Sequence, residues 1–108
     1  MMTAQNIIGN TYLYDFGEGS KYQLHFVDGT HLEVTVVEDG FYAPGTINHF
    51  DIEITSLAAG LNMITWTEAE SHNTVTHVDD FNQLISYTNI TSVPNDEFWR
   101  LKGKIIPQ

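Results

Sequence analysis

Apolar and polar residues alternate with a period of two along most of the chain, and helical spacing is absent. Residues 11–16 put Tyr12, Tyr14 and Phe16 on one face. Residues 21–27 do the same with Tyr22, Leu24 and Phe26, and residues 30–37 with Leu32, Val34 and Val36. Residues 50–56 set Phe50, Ile52 and Ile54 against Asp51, Glu53 and Thr55. Four more strands are expected over 61–68, 74–81, 84–91 and 96–106. Turn signals separate them. Gly17-Glu18-Gly19-Ser20 is one, Asp28-Gly29 a two-residue hairpin signal, and Ala58-Ala59-Gly60 another. A loop runs from Asp39-Gly40 through Pro44-Gly45. The expected fold is therefore all-β: a small closed antiparallel up-and-down β-barrel of about eight strands. Closure hides the sheet edges that so many short strands otherwise leave open. A two-sheet sandwich is the alternative, and the hairpin-linked first strands favour the meander.

A barrel of this size is either filled by side chains or holds one small ligand. Strand parity gives its interior. The first four strands contribute only apolar groups and the phenols of Tyr12, Tyr14 and Tyr22. The later strands mix in polar ones: Glu68 two residues after Trp66, His77 and Asp79 after Val75, and Asn89 after Ile85 and Tyr87. Trp99 and Leu101 complete the face. Apolar, aromatic walls with a few convergent polar groups make a ligand site. The expected ligand contacts are Tyr12, Tyr22, Phe26, Val36, Trp66, Asp79, Tyr87, Asn89 and Trp99. Glu68 and His77 are the candidate acid–base pair, able to move protons at neutral pH, with Tyr14 placing a substrate oxygen. The competing readings are a solvated Glu68 at a strand end, an outward His77 behind a bulge, and an aromatic set that is plain core.

The 108 residues are one domain's worth of chain, with residues 1–8 as an N-terminal segment. There is no cysteine, which excludes disulfides, thiolate metal sites and a cysteine nucleophile. No His-x-His, His-Glu-x-x-His or EF-hand spacing occurs, so no metal and no cofactor is expected. Fourteen acids face four bases, for a net charge of −10, and no Lys or Arg lies between Tyr22 and Trp99. Nucleic acid and anionic membranes are thereby excluded as partners. No apolar run is long enough to span a membrane, and the opening residues lack the features of a signal peptide. The expected location is cytoplasmic. The 96–106 strand and the apolar Phe41 and Tyr42 are the candidate contact of a homodimer.

Several blocks carry a family resemblance. They are Gly9-Asn10-Thr11-Tyr12 with Asp15-Phe16-Gly17-Glu18-Gly19-Ser20, then Ile64-Thr65-Trp66-Thr67-Glu68, and Thr74-Val75-Thr76-His77-Val78-Asp79-Asp80-Phe81. Tyr87-Thr88-Asn89-Ile90-Thr91 and Phe98-Trp99-Arg100-Leu101-Lys102-Gly103 belong with them. Over nearly its whole length the chain resembles the MoaF-like family, which implies a lipocalin-like, calycin-type barrel. It is more distantly similar to bacterial phenolic acid decarboxylases. That resemblance implies a role for Tyr14 in holding substrate and for Glu68 in proton transfer. It departs from the decarboxylase pattern at Phe16, where a second tyrosine is expected, and in the loop after Gly40, which lacks the substrate-binding arginine.

A buried substrate carboxylate needs a cationic partner. With none on the middle strands, the walls suit a neutral or cationic, partly aromatic ligand. Three functions follow. One is a MoaF-like small-molecule-binding barrel. Another is a cofactor-free lyase or isomerase using Glu68 and His77. The last is a filled structural or partner-binding barrel.

Overall fold

The structure is a computed structural model and describes residues 7–108. Of the expected N-terminal segment, residues 1–6 lie outside the described residues. Nine strands run in chain order: β1 (Thr11–Asp15), β2 (Lys21–Phe26), β3 (His31–Glu38), β4 (Ile47–Asp51), β5 (Glu53–Ala58), β6 (Leu61–Thr67), β7 (Asn73–Asp80), β8 (Ile85–Ser92) and β9 (Glu97–Pro107). They form one antiparallel sheet in the order β4-β3-β2-β1-β9-β8-β7-β6-β5.

The two edge strands of that sheet, β4 and β5, are consecutive in the chain and joined by the single residue Ile52. The chain itself thus crosses the seam of a nearly closed barrel. This accounts for nine strands where eight were expected: the 50–56 segment starts earlier, at Ile47, and divides at Ile52. Side-chain alternation survives the division, since Ile52 is buried while Phe50 and Ile54 pack partly buried against the core.

The barrel has a sealed end and an open end. Tyr12 and Phe26 meet edge-on at the sealed end, with ring centres 6.1 Å apart, and Phe81 lies 5.2 Å from Tyr12. Ile7, before β1, is fully buried in the same core. The Gly9 N–H donates to the Phe26 carbonyl at 2.6 Å and ties this plug to β2. At the open end lie the β1–β2, β3–β4, β6–β7 and β8–β9 connections. Among the described residues no helix is long and apolar enough to cross a membrane.

Candidate functional site

Between the plug and the open end the barrel encloses a cavity of about 610 Å³. The barrel is therefore not filled. Leu24, Val34, Val36, Val75, Ile90 and Leu101 supply its apolar wall, and Phe16, Tyr22, Phe50, Trp66 and Trp99 its aromatic one. This size and lining are those of a small-molecule site.

His77 is buried in that wall. It is 4% exposed and surrounded by rings. Trp66 stacks on it with centres 5.1 Å apart, while Tyr14 and Phe16 meet it edge-on at 5.4 and 6.4 Å. Behind it lies a fully buried polar cluster. Tyr14 donates its phenol proton to Asp79 Oδ2 at 2.6 Å, and Ser86 donates to Asp79 Oδ1 at 2.6 Å. His77 Nδ1 lies 3.4 Å from Asp79 Oδ1, 3.3 Å from Ser86 Oγ and 3.2 Å from Thr88 Oγ1. Asp79 Oδ1 is a carboxylate oxygen and Ser86 spends its proton on it, so both can only accept at Nδ1, while Thr88 can donate to Ser86 Oγ 3.1 Å away; this arrangement favours the ring proton on Nδ1. Nε2 is then a bare acceptor. The hydrogen bonds of His77 among the described residues all fall on Nδ1, and the ring that carries Nε2 lines the cavity. Burial, and then the Asp79 carboxylate, hold the Tyr14 phenol well above the usual tyrosine range.

This cluster depends on the register of β7 with its neighbours. Asp79 pairs with Ser86, His77 with Thr88 and Val75 with Ile90, and paired residues share a face. On the other side Asn62 pairs with Asp79 and Ile64 with His77. Asn62 is completely buried, and neither polar atom of its side chain has a hydrogen-bond partner.

At the mouth the chemistry changes to carboxylates. Glu68 is half-buried just past the end of β6. It accepts from Trp66 Nε1 at 3.3 Å and from Ser71 Oγ at 2.9 Å. Asp39 accepts from the Tyr22 hydroxyl and from the N–H groups of Phe41 and Tyr42 at 2.7 and 3.2 Å. Burial, then the bond to Asp39, pushes the Tyr22 phenol up to about 12. Asp51 and Glu70 also line the cavity, and among the described residues no Lys or Arg does.

Of the residues expected at the site, Tyr22, Val36, Trp66, Glu68, His77 and Trp99 line the cavity. The others do not. Tyr12 and Phe26 belong to the packed plug below it. Tyr14 and Asp79 sit behind His77 with no surface on the cavity. Tyr87 and Asn89 face outward, Tyr87 with the Lys102 ammonium 5.6 Å from its ring centre. The parity expected for β8 is thus corrected: Ser86, Thr88 and Ile90 point in. The turn before the strand sets this phase, since Leu84 adopts φ 58° and packs against the core itself. The expected Glu68/His77 pair is also corrected. Glu68 bonds to Trp66 and Ser71, and the carboxylate that meets His77 is Asp79. Ser86, Thr88, Asn62 and Asp39 escaped sequence reasoning. For the two hydroxyls the available signal was their period-two spacing opposite His77 and Asp79.

The comparisons with known proteins agree with this architecture. The MoaF-like family model matches residues 8–106. The chain belongs to the MoaF-like family. No curated protein matches it. Among solved structures it is similar to a protein from Burkholderia vietnamiensis whose crystal structure names it, provisionally, a beta-lactamase. The two are 25% identical, with a TM-score of 0.83 over 94% of this chain and 95% of that one.

Proposed function

We infer that this MoaF-like barrel binds a small neutral or cationic molecule with an aromatic body in its central cavity. The observation that carries this reading is the cavity of about 610 Å³, walled by aromatic rings and with the His77 imidazole set deep in its wall. An acidic compound suits it poorly. A buried carboxylate with no cation nearby costs several kcal/mol, and Asp39 and Glu68 repel it at the mouth. Trp66 and Trp99 are built-in reporters. A neutral apolar dye, N-phenyl-1-naphthylamine, should become fluorescent inside the barrel, and neutral aromatic compounds should displace it and shift tryptophan emission. Filling the cavity with Val36→Trp should abolish both signals in a protein that remains folded by circular dichroism. Failure of the dye to enter the wild-type protein would sink the reading.

A second reading, a cofactor-free lyase or isomerase, draws on the Asp79-backed His77. An imidazole whose Nδ1 is fixed by a buried carboxylate presents Nε2 as a proton acceptor. The same ring then returns the proton elsewhere on the substrate. On this reading His77→Gln lowers turnover more than affinity. The structural neighbour's name raises acyl transfer from a serine, and the geometry argues against Ser86 in that role. Ser86 is fully buried, and its hydroxyl donates to Asp79. It also shares the same imidazole nitrogen as Asp79, whereas a relay needs one partner on each nitrogen.

A further inference from the structure

We propose that the ligand is an arylalkylamine with a hydrogen-bond donor on its ring: the ring among the aromatic side chains of the cavity wall, the donor on His77 Nε2, and the ammonium between Glu68 and Asp39. This rests on the binding-cavity reading and narrows its chemical class.

The rim is the first argument. Glu68 is held by an indole N–H and a serine hydroxyl, and Asp39 by a phenol and two backbone N–H groups. These donors fix the positions of the two carboxylates without neutralising them. Lys21, near the same end, is paired with Glu38 at 3.3 Å and is not on the cavity wall. Arg100 and Lys102 are exposed on β9, their charges set over the rings of Phe98 and Tyr87. The mouth therefore carries an excess of carboxylates, and among the described residues no Lys or Arg lines it.

Acidic side chains alone do not specify a ligand, and the cavity interior supplies the independent observation. His77 is almost wholly buried, its Nδ1 is saturated by three oxygens, and its Nε2 faces the cavity without a partner. An acceptor that opens onto a largely apolar cavity is matched by a donor from the ligand. A phenol or an aniline N–H provides one. Phe16, Tyr22 and Trp99 line the same cavity and supply aromatic surface for both a ring and an adjacent cation. The rim carboxylates attract positive charge and His77 Nε2 accepts a hydrogen bond, and a molecule with a donor at one end and an ammonium at the other matches both at once.

The test compares probes of nearly equal shape. Tyramine carries the phenol and the ammonium. Tyrosol replaces the ammonium with a hydroxyl, 3-(4-hydroxyphenyl)propionate replaces it with a carboxylate, and phenethylamine lacks the phenol. Displacement of N-phenyl-1-naphthylamine and isothermal titration give the affinities. Tyramine should bind on the order of tenfold tighter than tyrosol, with the propionate weakest. Glu68→Gln combined with Asp39→Asn should shrink the tyramine-to-tyrosol ratio towards one. His77→Leu should shrink the tyramine-to-phenethylamine ratio in the same way. Because each readout is a ratio between ligands on one folded protein, a general loss of stability does not imitate it. Equal affinity for tyramine and tyrosol on the wild-type chain overturns the amine assignment while the binding cavity stands. If the dye also fails to enter, the cavity reading falls with it.

Discussion

The indole of Trp66 lies on the imidazole of His77, ring centres 5.1 Å apart and planes 26° from parallel. The same indole stacks with Phe50 at 5.5 Å and sends its N–H to Glu68. Phe50 belongs to β4 and Trp66 to β6, so this stack packs across the seam that no backbone ladder closes. Trp66 therefore joins the polar interior, the acidic rim and the seam of the barrel. Trp66→Ala should cost roughly 3 kcal/mol, the lower end of the range for emptying a large aromatic site, because part of the side chain already borders the cavity. Denaturant unfolding followed by circular dichroism measures it. A loss well under 1 kcal/mol would show that the seam holds without the stack.

Asp79 should matter for stability although it never reaches the cavity. Its two oxygens accept the hydroxyls of Tyr14 and Ser86, both buried. Asp79→Ala strands both donors, each at about 1–3 kcal/mol, and the expected loss is roughly 3 kcal/mol or more. Tyr14→Phe removes one donor and should cost about 1–3 kcal/mol. The double variant should lose less than the sum, by a coupling of about 1 kcal/mol or more, since the two changes break one bond. Additive losses would mean that the short Tyr14–Asp79 contact contributes nothing.

The β8 strand marks the limit of what alternation reveals. Its two faces read Ile85, Tyr87, Asn89 and Ser86, Thr88, Ile90, and the rule that apolar residues point inward selects the first. The barrel uses the second, because hydroxyls are what His77 and Asp79 need beside them. Where an interior is partly polar, hydrophobicity loses its power to set the phase of a strand. On β1, β2, β3 and β6 the inward face is apolar enough for alternation to place it directly, β7 takes its phase from Val75, and Trp66, Glu68 and His77 reach the cavity as the pattern implies. Tyr12 and Tyr14 are inward but not on the cavity, since parity gives a residue's face and not its depth along the axis. Asp39 lies in a loop, where no periodicity applies.

Alkaline pH should weaken the fold through its tyrosines. In the unfolded chain a phenol titrates near 10. In the barrel Tyr22 is pushed up to about 12, and Tyr14 lies well above its ordinary value, both chiefly by burial and then by Asp39 and Asp79 respectively. Above pH of about 10 the unfolded chain gives up protons that the folded chain keeps. The stability these groups contribute is thus complete below about 10 and is lost as pH rises through the folded values. Unfolding free energy measured from pH 9 to 12 should fall with pH, and less steeply in Tyr22→Phe. Parallel curves for wild type and Tyr22→Phe would remove Tyr22 from this account.

Gly103 should resist even the smallest substitution. It lies in β9 opposite Ser86, just beyond the last pair between β1 and β9. A Cβ added there would sit 2.5 Å from the Asp15 carbonyl oxygen and 2.6 Å from a ring carbon of Phe16. The first of these neighbours is backbone within β1 and cannot swing aside. Gly103→Ala must therefore push β1 away from β9 or tilt Phe16, whose ring lines the cavity and packs edge-on against His77. The expected cost is about 1–3 kcal/mol, as for overpacking elsewhere. Because Phe16 moves, the variant should also bind N-phenyl-1-naphthylamine more weakly under conditions where it is fully folded. Gly29 provides the control, since a Cβ there meets nothing within 4 Å and its backbone is not in the left-handed region. Gly29→Ala should leave dye binding unchanged. Equal stability and equal dye binding in the two variants would show that β1 and β9 yield at this point and that Phe16 is not held by them.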